Sequence, residues 1–204
     1  MAQCWQAVPL KKLLKRIKED VALDDSVLYK QVTVRLWSKG ITLRGEKLGI
    51  EIKTKRQFLV RTGQLLLSRI DVRNGAIGLV PAELDEAIVS NDFWVYDIDS
   101  SKIIPEYLAW YVTTPSFTEQ ADRTSSGTTK RIRATESALL KIEIHLPSLD
   151  EQRRIVTQIE TLEKPISKIK RLRESVEDDI QRMLLSAFQK TLDGANYKSM
   201  KKVA

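Results

Sequence analysis

From residue 155 to residue 187, apolar side chains recur at alternating steps of four and three: Ile155, Ile159, Leu162, Ile166, Ile169, Val176, Ile180, Met183 and Ala187. Arg173 stands where one more is due. This spacing keeps one stripe of a helix facing a partner helix over about five heptads, the pattern of a coiled coil. Ser148 and Glu151 in PSLDEQ are spaced as a capping box and place the helix start there. A continuous helix over 149–192 would run about 65 Å at about 1.5 Å per residue. A stripe of that length must pack on something outside its own domain. Two residues disturb it. Pro165 lacks an N–H and clashes with the preceding turn, which predicts a kink or break near 161–164. Arg173 in a dry seam would cost stability and fix register, or else its stem snorkels and its head stays wet. The polar, basic tail over 193–204 is expected to fray.

The sequence before this helix has a different texture. PLKKLLKRIKEDV, residues 9–21, places Leu10, Leu13, Leu14, Ile17 and Val21 at helical spacing behind Pro9, and predicts a short amphipathic helix. From Tyr29 to Tyr96, short runs of Val, Ile, Leu and aromatic residues alternate with Gly, Asn and charge. Strands are expected near 31–37, 57–61, 65–70, 76–80 and 92–97. Asn74-Gly75 is read as a two-residue type I′ hairpin turn joining LLLSRIDV to AIGLV. PEYLAWYVT, residues 105–113, reads as a helix opened by Pro105 that buries Leu108. KIEIHLP reads as a strand with Ile142, Ile144 and Leu146 on one face and His145 on the other. The fold class that follows is α+β: a mixed, β-rich domain with short packed helices over 1–147, then a long coiled-coil-forming helix over 148–192.

Composition narrows the function classes. No apolar run approaches the roughly 18 to 20 residues that span a bilayer, and no cleavable leader is evident at the N-terminus. The single cysteine, Cys4, has no partner for an intramolecular disulfide, and one cysteine with one histidine is no usual zinc set. These features point to a reducing cytoplasm, with no metal. The net charge of +7 is distributed in blocks. Residues 30–73 hold eleven Lys or Arg against three Asp or Glu, and residues 74–120 hold one lysine against eight acids. Such separation suits a chain with one surface turned to polyanionic phosphate. No glycine-rich dinucleotide loop, phosphate-binding Gly-Lys-Ser/Thr loop or Asn-Pro-Pro-aromatic run is present.

In order along the chain, VTVRLWSKGITLR, TGQLLLSRIDVRNGAIGLVP, AIVSNDFWVYDI, IIPEYLAWYV, SSGTTKRIR and LPSLDEQRRIVTQIETLE resemble the landmarks of a type I restriction-modification specificity subunit. The resemblance spans about residues 28–190. Proline followed shortly by Glu-Gln and an amphipathic helix is typical of the spacer after a recognition domain in that family. The resemblance implies a noncatalytic subunit with 1–147 as a target-recognition domain, 148–192 as the conserved spacer helix and 193–204 as a flexible tail. Full-length members resemble two such units in tandem, and this chain has one. A two-fold homodimer is therefore expected, its spacers pairing antiparallel through Ile155, Ile159, Leu162, Ile166, Ile169, Arg173, Val176, Ile180 and Met183. Its target would be a bipartite palindrome in double-stranded DNA. The family also implies adenine methyltransferase (modification) subunits on the helices, with S-adenosylmethionine bound there and no cofactor in this chain, and motor-nuclease (restriction) subunits joining them.

Base reading requires donors and acceptors that reach groove edges, and phosphate contact requires charge. The loop over 124–133 ranks first, with Ser126, Gly127, Thr128, Thr129, Lys130, Arg131 and Arg133. Arg35, Lys39 and Arg44 rank second. Arg69 and Arg73, flanking the Asn-Gly turn, rank third. Set against these roles, Gly127 serves equally as a chain turn, Arg69 has Asp71 as an ion-pair partner two residues away, and Trp37 reads as a core residue. Two other readings fit parts of the sequence: a stand-alone DNA-binding regulator that dimerises through a coiled coil, and a structural adaptor with a solubilising basic surface. Neither accounts for the ordered strand landmarks, and no helix-turn-helix is evident. The sequence fits a natural half-length subunit, a fragment of a two-domain protein, or an unexpressed cassette that donates its domain by recombination.

Overall fold

The computed structural model describes residues 5–126 and 133–193 and divides the chain into two compact units, Met1–Val156 and Thr157–Ala204. Two sheets organise the first unit. One has four antiparallel strands in the order β2 (Leu14–Ile17), β10 (Phe93–Ile98), β7 (Leu65–Ser68) and β8 (Ile77–Leu79). The other has five, in the order β3 (Asp20–Val21), β6 (Gln57–Leu59), β9 (Ile88–Ser90), β4 (Leu28–Val34) and β5 (Ile41–Leu48), with only β4 and β9 parallel. Strand β1 (Gln6–Pro9) pairs with β13 (Glu143–Leu146), and β11 (Ser125–Ser126) pairs with β12 (Arg133–Ala134). Helices α1 (Pro105–Tyr111), α2 (Pro115–Arg123) and α3 (Glu136–Leu139) fall between β10 and β13. Helix α4 spans Leu149–Asp193.

The four-stranded sheet is covered on both faces, which is why its central strands read as unbroken apolar runs. Successive residues of a strand point to opposite sides. Leu65, Leu67, Trp94 and Tyr96 accordingly join a core with Leu108, Phe117, Leu139 and Ile144, on the side of α1, α2 and β13. Leu66 and Val95 join Val32, Val34, Phe58, Val80 and Val89, on the side of the five-stranded sheet. Leu65, Leu66 and Leu67 are all fully buried.

Several sequence-based expectations hold. Four of the five expected strands appear within a few residues of β4, β6, β7 and β8, and the fifth matches β10. Pro105 opens α1, which buries Leu108. Ile142 and Ile144 are buried and His145 is exposed on the other face of β13. The expected helix over 9–21 is not formed. A single 3-10 turn over Leu10–Lys12 is followed by β2 and β3. One helical turn suffices to put Leu10 and Leu13 on the same buried side, and Leu14 is then buried as the first residue of a strand. Three residues at helical spacing thus arose from a turn and a strand in succession. The turn at Asn74-Gly75 also differs. A 3-10 turn over Val72–Asn74 ends at Gly75, the one left-handed residue there (φ 73°), so β7 and β8 are joined by a longer connection over 69–76.

At the start of α4 the Ser148 hydroxyl accepts from the Glu151 N–H at 3.3 Å, as a cap should. The Glu151 carboxylate turns forward to Arg154 instead of back to the cap, so half of the capping box is made. Gln152 in the first turns is fully buried and completely paired. Its Nε2 donates to the carbonyls of Pro147 (3.0 Å) and Lys102 (3.2 Å), and its Oε1 accepts from the Ile104 N–H (2.8 Å). Val156 is buried and Ile155, partly buried, packs against the same core.

In the second unit α4 runs unbroken through Pro165. Proline deletes the bond to the Thr161 carbonyl. That turn lies at an exposed surface, where the freed carbonyl is open to solvent, and the Thr161 hydroxyl donates to the Thr157 carbonyl at 2.7 Å. Leu162, Ile166, Ile169, Val176, Ile180 and Met183 are each half exposed or more, as are Leu172, Leu184, Leu185 and Phe188 outside the expected seam. Arg173 is exposed and pairs with Glu177 at 2.9 Å. No described helix is long and apolar enough to cross a membrane.

Candidate nucleic-acid interface

The connection over 69–76 brings parts of all three sequence-predicted regions together. At its start, the Arg69 carbonyl accepts from the Ala134 N–H at 2.8 Å and so anchors β12, which carries Arg133. At its end, the carbonyls of Asn74 and Gly75 accept from the N–H groups of Trp37 (2.7 Å) and Ser38 (3.0 Å), in the tip of the β4–β5 hairpin. Arg35 and Lys39 project from that tip as exposed side chains. Gly75 is required twice over: its φ is 73°, and a Cβ there would lie 2.9 Å from the Ser38 nitrogen. Ser126 is in β11, and Gly127, Thr128, Thr129, Lys130 and Arg131 lie outside the described residues. Arg44 is separated from the rest. It is the extra residue of a bulge in β5, where Val32 pairs with Leu43 and Gln31 with Gly45, and it borders another hollow with Lys47 and Lys53.

Beside Arg69 is a hollow of about 460 Å³ whose lining includes Arg16, Lys18, Arg69, Arg133, Asn91 and Trp94. The Arg69 guanidinium lies 5.3 Å from the Trp94 ring centroid, and the Arg16 guanidinium lies 5.5 Å from the same ring and 5.3 Å from that of Tyr96. Such stacking holds a cation over an aromatic face, and the Arg16 guanidinium is fixed further by donating to the Ile17 and Phe93 carbonyls. Glu136 steadies the floor by accepting from Arg16 (3.3 Å) and from the Tyr96 hydroxyl (2.9 Å). Burial, with the Glu136 charge beside it, pushes the Tyr96 phenol well above its usual range, so it remains a donor. Arg133 pairs with Asp92 at 3.2 Å, both half exposed. Arg69 donates to the Asn91 carbonyl at 3.2 Å and does not pair with Asp71. Among the described residues Arg35, Lys39, Arg69 and Arg73 make no ion pair. The Nε atoms of Arg69 and Arg73 are buried without an acceptor.

The two ends of the β7–β8 hairpin differ in charge. The basic connection over 69–76 is at one end of β7 and β8. Glu83, Asp85 and Glu86 are at the other, where Arg61 pairs with Glu86 (2.8 Å) and Glu19 (3.0 Å). There the Thr62 N–H donates to Asp85 and holds its carboxyl below the usual range. Arg16, Lys18 and Trp94 were not singled out from sequence. Arg16 faces Tyr96 across the β2–β10 ladder, a pairing hidden while β2 reads as helix. Trp37, read as core, is 71% exposed with a left-handed backbone (φ 60°). Ser38 is left-handed as well (φ 53°), and an L-residue there costs roughly 1–2 kcal/mol.

The profile described as "Type I restriction modification DNA specificity domain" matches residues 4–178. The sequence has no match among curated proteins. Its structure is similar to that of the HsdS subunit from Thermoanaerobacter tengcongensis, with TM-score 0.68 at 24% identity, 97% of this chain aligning with 52% of that one. A structure described as "Structural basis underlying complex assembly and conformational transition of the type I R-M system" gives 0.65 at 24% identity, with the same coverage. The type I restriction-modification S subunit from M. genitalium gives 0.55 at 12% identity, over 80% of this chain and 40% of that one. At these identities the likeness establishes a shared fold, and the chain spans about half the length of the first two. With the profile covering most of the sequence, the chain belongs to the family of type I restriction modification DNA specificity domains.

Proposed function

We propose that this chain is the noncatalytic DNA-reading component of a type I restriction-modification complex and that its first unit binds one half of a bipartite target in double-stranded DNA. The observation that carries this reading is the convergence of the β4–β5 tip, β12 and the 69–76 connection, which gathers Arg35, Lys39, Arg69, Arg73 and Arg133. Phosphates supply acceptors and charge for such a group, and arginine is the commonest reader of guanine edges. Lys130 and Arg131 lie outside the described residues, and their part in this reading rests on their charge in the sequence between Ser126 and Arg133.

The apolar row from Leu162 to Phe188 calls for a covering helix, and a second copy of this chain supplies one of identical pattern. Two recognition domains related by a two-fold axis would read inverted half-sites. The paired helices would also carry the modification subunits, which bring S-adenosylmethionine and transfer its methyl group to adenine, and the restriction subunits would join that assembly in the cytoplasm. The test is co-expression with the modification subunit, followed by methylation-sensitive sequencing and sedimentation. Adenine methylation at a split palindrome, from a complex with two copies of this chain, is expected. A contiguous or asymmetric motif overturns the homodimer, and absence of sequence-specific methylation overturns the DNA-reading assignment. Lys130→Ala with Arg131→Ala is expected to weaken DNA binding and flatten the salt dependence by about 0.9 in log–log slope per lost phosphate contact.

A further inference from the structure

The β4–β5 hairpin is closed by a tight turn over 36–39, with the Lys39 N–H donating to the Leu36 carbonyl at 3.4 Å. Its two central residues, Trp37 (φ 60°) and Ser38 (φ 53°), are both left-handed. That is the type I′ geometry normally given to Asn and Gly. Filling those positions with a tryptophan and a serine strains the backbone, and strain persists only where the surroundings hold it. Here the hold is explicit, because the N–H groups of Trp37 and Ser38 are tied to the Asn74 and Gly75 carbonyls, and only a glycine permits so close an approach. With its backbone fastened inward, Trp37 leaves most of its indole in solvent. Leu36 beside it is also exposed, and Arg35 and Lys39 flank the pair as exposed cations without ion pairs among the described residues.

From this geometry we infer that Trp37 is an apolar wedge that enters a base step of duplex DNA, partly unstacking it and bending the helix, while Arg35 and Lys39 engage the phosphates on either side. The inference rests on the DNA-reading function proposed above. Large apolar side chains inserted between base steps are a recognised means of kinking DNA by about 20–90°. A tip that is apolar at its apex and cationic at its shoulders has the charge arrangement that entry between two phosphate strands requires. The tether to the 69–76 connection fixes the Trp37 backbone relative to that of Arg69 and Arg73, so the bend and the neighbouring contacts would form together.

The test uses the full chain assembled with the modification subunit. Target duplexes carry 2-aminopurine at successive positions, whose fluorescence rises on unstacking, and donor and acceptor dyes at their ends report bending. The parent complex is expected to enhance fluorescence at one or two adjacent steps and to shorten the end-to-end distance. Trp37→Ala is expected to abolish both signals and weaken binding about tenfold or more, leaving assembly with the modification subunit intact, and Trp37→Phe is expected to restore part of each. A parent complex that binds its target with no enhancement at any position overturns the wedge, whatever the variants do. Unchanged bending and affinity in Trp37→Ala does so too, as does loss of assembly with the modification subunit, which would make the indole a protein contact. A parent complex that neither binds nor methylates DNA instead removes the underlying DNA-reading assignment.

Discussion

Replacing Gln152 by leucine removes a polar clamp while keeping a side chain of similar bulk. The parent amide is fully buried and makes three bonds, all to backbone: Nε2 to the Lys102 and Pro147 carbonyls, and Oε1 from the Ile104 N–H. An intramolecular hydrogen bond contributes a net of about 1 kcal/mol, but a buried group stripped of its partner loses about 1–3 kcal/mol. The Ile104 N–H has one donor and no alternative, so its loss lies toward the upper end, whereas each carbonyl keeps a second lone pair. The sum is about 3–5 kcal/mol, a large share of the roughly 5–15 kcal/mol that holds a domain folded. For a unit of this size, 1 kcal/mol corresponds to about 2–4 °C in Tm, so a fall on the order of 10 °C is expected. Urea unfolding followed by tryptophan fluorescence, with parent and variant at equal m, measures the loss directly. A loss below about 1 kcal/mol refutes the reasoning. Gln152→Glu supplies the sign: its carboxylate would accept from Ile104 but face two carbonyls, so its folded pKa is raised. Such a group is least harmful below the unfolded value near 4.3 and increasingly destabilising above it.

Gly75→Ala is expected to lower stability by about 2–3 kcal/mol, since it adds the roughly 1–2 kcal/mol of a left-handed L-residue to a Cβ pressed against the Ser38 backbone; a Tm within 2 °C or so of the parent counts against it. Alkaline pH is expected to weaken the first unit. Burial holds the Tyr96 and Tyr107 phenols above their unfolded value near 10, Tyr107 up to about 12, so their contribution is complete below pH ~10 and is lost as pH rises toward the folded values. Urea midpoints that stay flat between about pH 9 and 11.5 would contradict this, and Tyr96→Phe is expected to remove part of the slope.

The parts of the fold legible in the sequence were those whose burial obeys one period. The residues of β7, β10 and β13 alternate or run apolar because their faces are covered by known means, and the row beyond Leu162 repeats because one face of one helix is apolar. Strand β5 escaped because most of its side chains are exposed, which leaves little apolar pattern to read. Helix α2 escaped because it buries only Phe117 and Ala121, although Thr114 before Pro115 was a cap signal in plain view. The 9–21 segment misled because a 3-10 turn and two short strands in succession counterfeited one helix. At the candidate interface, charge identified Arg35, Lys39, Arg69 and Arg73. Only the hydrogen bonds from Trp37, Ser38 and Ala134 to the 69–76 connection disclosed that they share a surface. Trp37 was misread because hydrophobicity argues for burial, and only the tethered left-handed turn explains its exposure.

The 69–76 connection is tied to β12 and to the β4–β5 tip through main-chain carbonyls at Arg69, Asn74 and Gly75. Those bonds are indifferent to side-chain identity everywhere except Gly75. Under the proposed function, mounting and reading would therefore be separable. Positions 35, 39 and 73, whose side chains make no ion pair among the described residues, could exchange side chains without loosening the frame that presents them, so a change of preferred bases would need no new scaffold. A lineage under pressure to alter its target could do so through a handful of codons while the bracket beneath stays the same.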